Sequence, residues 1–480
     1  MMALRKKYLA LVLLLGSYGA AAQVAATTRK APARPAITGK LRPAIVAPGT
    51  VDPAEARRID ELLTQYTADV GTRGAYGPLS LPTAEGSIRR YDKHVPGALA
   101  LVLRDGKVVY RKSFGVDNMF TQSPLRTDAI FRIASQTKAL TSVGLMMLFD
   151  EGKFQLDDPI SKYLPAFANA QVLANFNPKD STYTTVPANG PITIRQLFTH
   201  TSGISYPVIG SKEATAIYAK AGIPSGIGTP SGTLATSMDA LGKLPLMHQP
   251  GERFTYGLSV DVLGRLIEVL SGQSLDQFLR QRLFQPLGMK DTYFYLPADK
   301  QARLVRLYTE NAAKQSVEME PQGRMIPNYP KAKGTYFSGG AGLSSTIDDY
   351  AIFLQMMLNN GTHQGRQLLK PATVAIITQN QMGAVSQGGN KFGLGFSITT
   401  PENAKVPGLS AGSYEWGGIF GTTYWVDPQQ KLVGLIYTQK YPNSTGRDLA
   451  GKFKSAVYES FVPDQQAPAS MAAPAASGTR

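Results

Sequence analysis

Residues 135–149 read Ser-Gln-Thr-Lys-Ala-Leu-Thr-Ser-Val-Gly-Leu-Met-Met-Leu-Phe. Ser135 and Lys138 are three apart, so on an α-helix they share a face and the lysine nitrogen can reach the serine hydroxyl. The run Ala139–Phe149 that follows is too apolar for a surface helix and is expected to be buried. Ser135 would then stand at the N-terminus of a rigid core element, where the helix dipole favours negative charge. A serine hydroxyl is a weak nucleophile near neutral pH without an adjacent base, and this tetrapeptide supplies one. The plain structural alternative makes Ser135 an N-cap and Lys138 a solvated first-turn residue. The spacing alone does not separate the two.

On the N-terminal side, Ala98–Leu103 and Val108–Phe114 are apolar runs joined by Arg104-Asp105-Gly106-Lys107, a hairpin signal. Asp52-Pro53 marks a helix start, with Ile59, Leu62, Leu63 and Tyr66 on one face. On the C-terminal side, residues 150–330 are mostly helical in pattern, the clearest helix covering about Ser259–Leu270. A further helix is expected over Asp348–Leu358, entered through the glycine-rich turn Ser338–Gly342. Strands are expected at Gly393–Ile398, Gly421–Val426 and Leu432–Thr438, then a final helix over about Arg447–Phe461. Strands at both ends with helices between imply one sheet built from the two ends of the chain. A helical subdomain is inserted, an α+β layout rather than alternating βαβ units.

The 480 residues are ample for such a domain, placed at 52–462. Residues 1–22 have the three parts of a secretory signal: Arg5, Lys6 and Lys7, the apolar Tyr8–Leu15, and a small-residue end at Ala20-Ala21-Ala22. The expected location is therefore the bacterial periplasm or the exterior. Residues 23–51 read as a basic Pro/Ala-rich linker and 463–480 as a disordered tail. There is no cysteine, which excludes disulfides, zinc–thiolate sites and cysteine nucleophiles. The net charge of +16 includes Arg29, Lys30, Arg34, Lys40 and Arg42 in the linker, suited to weak contact with anionic cell-envelope polymers. No clustered basic helix or aromatic RNA-binding motif points to nucleic acid, and no later segment is long and apolar enough to span a membrane.

Other catalytic signals are weaker. Gly408-Leu-Ser410-Ala-Gly412 matches G-x-S-x-G, but it follows a loop, no helix succeeds it, and the last histidine is His363. An α/β-hydrolase order of Ser, Asp, His is therefore impossible. The four histidines, His94, His200, His248 and His363, lack metal-ligand spacing. His200 reads as a loop-fixing residue, and Ser338–Gly342 lacks the Gly-Lys-Ser/Thr of a phosphate loop.

Five stretches occur in order: Ser135–Lys138, Leu197–Gly203 (LFTHTSG), Pro250–Tyr256 (PGERFTY), Pro286–Thr292 (PLGMKDT) and Trp416-Gly417-Gly418. Together they resemble the serine β-lactamase-like hydrolases related to class C β-lactamases, and most closely the family VIII carboxylesterases. The resemblance covers about residues 90–460. It implies a β-lactamase/penicillin-binding-protein-like fold, an antiparallel sheet flanked by helices with a mostly helical insertion. It makes Ser135 the nucleophile and Lys138 and Tyr256 its proton-transfer partners. Which of the two takes the serine proton is not readable from sequence. It also implies an oxyanion hole from the backbone N–H groups of Ser135 and Ile419, substrate contacts from Trp416, Gly417, Gly418 and Leu258, and no metal or organic cofactor.

Two departures set the expected substrate. Tyr256-Gly257-Leu258 replaces the usual Tyr-x-Asn, and Trp416 stands where Lys-Thr-Gly places a cation. A lactam or D-Ala-D-Ala carboxylate loses its charged partner, worth about 1.5–3 kcal/mol, while a neutral ester loses nothing. A small-molecule ester is the expected substrate. The alternatives are a β-lactamase, D,D-peptidase or D-aminopeptidase on the same scaffold, with a nearby arginine in place of the missing cation, or a catalytically silent envelope-binding or sensor protein.

Overall fold

The computed structural model describes residues 53–68, 79–83, 86–90, 93–321, 326–405 and 407–462. The signal, linker and tail segments expected at 1–22, 23–51 and 463–480 lie outside the described residues.

The Ala98–Leu103 run forms β1 (Gly97–Arg104), which turns back into β2 (Lys107–Asn118). Asp105 and Gly106 both have positive φ, at 50° and 74°, as the tight hairpin turn between right-twisted strands requires. Ser123–Pro124 adds a short β3 beyond β2. The C-terminal part contributes β4 (Lys391–Phe392), β5 (Ser397–Ile398), β6 (Tyr414–Gly418), β7 (Thr422–Asp427) and β8 (Leu432–Tyr437). The eight strands lie side by side as β4-β5-β6-β7-β8-β1-β2-β3, antiparallel throughout. The two ends of the chain meet where β8 pairs with β1, from Leu432 opposite Arg104 to Tyr437 opposite Leu99. Gly393–Ile398, expected as one strand, is instead the turn and second arm of a hairpin: Gly395 has φ 94°, and Lys391 pairs with Ile398.

Both faces of the sheet are covered, which is why β1 is apolar without alternation. Leu99, Leu101 and Leu103 enter the large core on one face. Ala98, Ala100 and Val102 enter a smaller core on the other, against the terminal helices α1 (Pro53–Thr67) and α5 (Leu449–Phe461). The large core is filled by α2 (Thr137–Asp150), α3 (Ser259–Ser271) and α4 (Ile347–Leu358). In α2 every side chain from Thr137 to Leu148 is buried, as its apolar sequence demands. Residues 150–330 hold α3, the shorter helices Ile194–Phe198, Lys212–Lys220 and Leu234–Leu241, and two hairpins, Gln171–Phe176 with Tyr183–Pro187 and Tyr308–Glu310 with Ser316–Glu318. Arg111 on β2 makes a bidentate pair with Asp348 at the start of α4, 2.8 and 2.6 Å. Among the described residues no helix is long and apolar enough to cross a membrane.

Candidate active site

The short strand Phe131–Arg132 leads into a 3-10 turn, Ala134–Gln136, that runs directly into α2. Arg132 is buried and anchors the approach, its guanidinium donating to Pro327 O at 2.6 Å, Val305 O at 2.7 Å and Gln439 Oε1 at 3.2 Å. Ala134 holds φ 43°, a left-handed conformation costly for a residue with a Cβ. The turn is over-determined around it. Tyr350 OH donates to Gln136 O at 2.8 Å, Tyr437 OH to Gln136 Oε1 at 2.7 Å, and Leu343 N–H to Thr137 Oγ1 at 3.1 Å. Strain held in place by long-range contacts at a reactive residue is a common mark of a working site.

The N-cap alternative for Ser135 does not survive this geometry. Its hydroxyl makes no capping bond, and Lys138 is 1% exposed rather than solvated. Lys138 Nζ instead donates to Ser135 Oγ at 3.4 Å, Tyr206 OH at 3.0 Å and Gly340 O at 2.8 Å. The three protons of an ammonium are thereby all engaged. Burial pulls the Lys138 pKa down, but the oxygens of Tyr206 and Tyr256 outweigh it and hold the group above the ordinary lysine value. Burial also keeps Tyr206 a neutral phenol, above the usual tyrosine range, despite the neighbouring cation.

Tyr256 comes from the segment before α3 and lies with its ring over Lys138, Nζ 4.6 Å from the ring centroid. The Trp416 indole N–H donates to Tyr256 OH at 3.3 Å. An aromatic cluster fixes the phenol: His200 at 4.7 Å, Trp416 at 5.5 Å and Tyr206 at 5.5 Å between ring centroids. His200 has φ 55° and is fully buried, and its Nδ1 accepts from Gly257 N–H at 3.3 Å. Burial and the Lys138 charge keep its imidazole neutral. It braces the Tyr256 turn, in keeping with the loop-fixing role read from its sequence context.

Ser135 lines a cleft of about 350 Å³ together with Tyr206, Val208, Ile209, Ile227, Tyr256, Trp416, Gly417 and Ile419. Ile419 follows β6, in the turn to β7. The glycine at 418 lets the end of β6 approach the Ser135 turn, since a Cβ there would meet Ile133 O at 2.4 Å. Leu258, expected to touch substrate, is fully buried in the large core instead. It sits at the start of α3, and its side chain packs inward with that helix. Gly418 is not among the cleft-lining residues. No arginine or lysine lines the cleft among the described residues, and none of those lining residues replaces the cation missing at 416.

Three participants escaped sequence reading. Tyr206 stands three residues past the Leu197–Gly203 stretch, and its proximity to that motif was the only clue. Asp261 is fully buried on α3, its carboxyl pushed up by burial, and it accepts from Ser338 Oγ at 2.6 Å. Ser338 Oγ in turn accepts from Ala341 N–H at 3.0 Å, shaping the turn that points Gly340 O at Lys138. That turn was expected to open a helix. It enters Ser344–Ser345, a strand pairing with Phe131–Arg132, before α4 begins. Ser410 of the rejected G-x-S-x-G lies in the loop before β6, its N–H donating to Asp427 Oδ2 at 3.1 Å. A larger cavity of about 620 Å³, between Asn118–Phe120 and the Tyr308–Glu318 hairpin, contains none of the Ser135 neighbours. Chemistry, not volume, selects the smaller cleft.

The protein Rv1367c of Mycobacterium tuberculosis is 34% identical over 363 residues, 72% of this chain and 86% of that protein. Esterase EstB of Burkholderia gladioli is 30% identical over 384 residues, 76% of this chain and 92% of its own. Among solved structures, EstCE1, described as a hydrolase with promiscuous acyltransferase activity, superposes with a TM-score of 0.69 at 25% identity, covering 84% of this chain and 98% of its own. The model of the Beta-lactamase family matches residues 57–457. With that match spanning most of the chain, and esterases among its full-length relatives, the protein is a member of the Beta-lactamase family of serine hydrolases.

Proposed function

We propose that the protein hydrolyses small, uncharged carboxylic esters through an acyl-enzyme on Ser135, after export to the periplasm or the exterior of a bacterial cell. The observation that carries this reading is the buried Lys138 ammonium, 3.4 Å from Ser135 Oγ, beside a cleft that no lysine or arginine lines among the described residues. An ammonium with its three protons engaged has no lone pair to accept the serine proton. Its work is electrostatic: it orients Oγ and stabilises negative charge appearing there. Tyr256 is then the proton carrier, its ring over Lys138 and its oxygen held by the Trp416 N–H. Tyr206, neutral and hydrogen-bonded to Lys138, positions the cation.

In the first step Ser135 Oγ bonds to the ester carbonyl carbon while its proton passes to the Tyr256 oxygen, which enters the step as a phenolate beside the Lys138 ammonium. The carbonyl oxygen takes up the negative charge, facing the backbone N–H groups of Ser135 and Ile419. Collapse breaks the carbon–oxygen bond to the alcohol, which leaves with the proton from Tyr256. A water then gives its proton to Tyr256 and attacks the acyl carbon. Release of Ser135, reprotonated by Tyr256, frees the acid. The apolar walls suit an ester with no charge to satisfy. The test is p-nitrophenyl butyrate hydrolysis by the purified protein. Turnover is expected from wild type and not from Ser135→Ala, with a butyryl mass increment trapped on Ser135. Equal rates for the two proteins would end the proposal.

A further inference from the structure

Apolar side chains as exposed as Val208, at 57%, and Ile209, at 49%, are few among the described residues, and these two are consecutive and line the Ser135 cleft. Their loop is tightly held. It starts at Tyr206, buried and bonded to Lys138, and it ends at Ser211, whose Oγ caps the Lys212–Lys220 helix by accepting from Ala214 N–H at 3.2 Å. Gly210 closes it, since a Cβ there would meet Tyr206 O at 2.4 Å. Tyr206, whose phenol bonds Lys138, thus packs through its backbone carbonyl against the Gly210 end of the loop that carries these two side chains. Also in the cleft wall are Ile227 and Ile419, members of a small apolar cluster that includes Ala134, next to the nucleophile. On a chain of net charge +16, an apolar path of this kind leading to Ser135 is a selective feature.

We infer that Val208 and Ile209, with Ile227 and Ile419, form a binding shelf for an uncharged aliphatic arm of the substrate. The inference rests on the ester-hydrolase reading and names the substrate class for it. The arm can belong to the acid or to the alcohol of the ester, and both present the same chemistry to the shelf. Dehydrating aliphatic carbon is the driving force, and a fully buried methylene is worth about a fourfold gain in affinity.

Two series separate the sources: p-nitrophenyl esters from acetate to octanoate, and acetate esters of ethanol to hexanol. In one of them kcat/KM is expected to rise about two- to fourfold per added methylene. The double variant Val208→Ser/Ile209→Ser should cut the hexanoate-to-acetate ratio (or the hexyl-to-ethyl ratio) about tenfold. Val269→Ser, an exposed apolar residue on α3, should leave that ratio unchanged. Binding without turnover is read by quenching of Trp416 with 2-butanone and 2-octanone; the other tryptophan, Trp425, is buried in the core on the opposite sheet face. Octanone should bind at least tenfold tighter, and the double variant should erase the difference. A flat chain-length profile in both series, or a double variant with wild-type ketone selectivity, overturns the shelf. Chain-length-dependent ketone binding without any Ser135-dependent hydrolysis would keep the shelf and overturn the esterase reading.

Discussion

Replacing Gly418 by alanine adds one methyl group at the point where β6 meets the Ser135 turn. The new Cβ would lie 2.4 Å from both Ile133 O and Thr422 Oγ1. Thr422 can turn its hydroxyl, but Ile133 O is backbone, two residues before Ser135. Contacts under 3.0 Å are not sustained, so strand and turn must part by at least about 0.6 Å. No positive φ is recorded for Gly418, so alanine is strained there only by this contact. Ser135 follows Ile133 by two residues and Ile419 follows Gly418 directly, so the displacement is expected to reach the two N–H groups proposed as oxyanion donors. Loss of one oxyanion donor costs roughly 3 kcal/mol of barrier, about a hundredfold in rate. Because the donors act on charge that develops only in the transition state, kcat should fall about a hundredfold with KM nearly constant. The assay is steady-state hydrolysis of p-nitrophenyl butyrate, beside a thermal melt showing the variant folded. A folded Gly418→Ala protein with kcat within threefold of wild type would show that this approach does not set the oxyanion geometry.

Tyr206→Phe removes the phenol that orients Lys138 and should lower kcat about 10- to 100-fold, the scale of a hydrogen bond to a charged group; undiminished turnover would assign Tyr206 to packing alone. Nitrocefin should be cleaved with a kcat/KM at least tenfold below that of p-nitrophenyl butyrate, because among the described residues no lysine or arginine lines the cleft to meet the lactam carboxylate. Comparable values for both substrates would refute the reading of Trp416. Asp349, buried in the first turn of α4 and accepting from Asp291 N–H and Thr292 Oγ1, has its carboxyl pushed up to about 6 by burial. Its folded value exceeds the unfolded one, so the protonated group contributes stability below pH 4 that is lost as pH rises through 6, up to about 3 kcal/mol. The difference in melting temperature between wild type and Asp349→Asn should therefore shift in favour of the variant from pH 4 to 7, and a constant difference would contradict it.

Much of this architecture is local and hence visible in the chain. Asp105-Gly106 dictates the β1–β2 hairpin because both residues tolerate positive φ. The α2 and α3 helices carry their apolar pattern in consecutive residues, and the order of strands and helices along the chain pointed to a sheet joining the two termini. Ser135 and Lys138 are linked by helical periodicity alone. What sequence could not supply was depth and distance. Whether Lys138 is a solvated first-turn residue or a buried ammonium depends on Tyr206, Tyr256 and Gly340, residues 68 to 202 positions away. Leu258 was expected to face substrate from its place beside Tyr256, but the turn into α3 directs it to the core. The Gly393–Ile398 run has strand composition, yet Gly395 bends it into a hairpin against β4. The residue types of the site were thus fixed locally, while the charge state of the lysine, the brace on the tyrosine and the apolar lining of the cleft came from long-range packing. Burial and hydrogen-bond geometry are properties of contacts between distant segments, and one-dimensional spacing does not encode them.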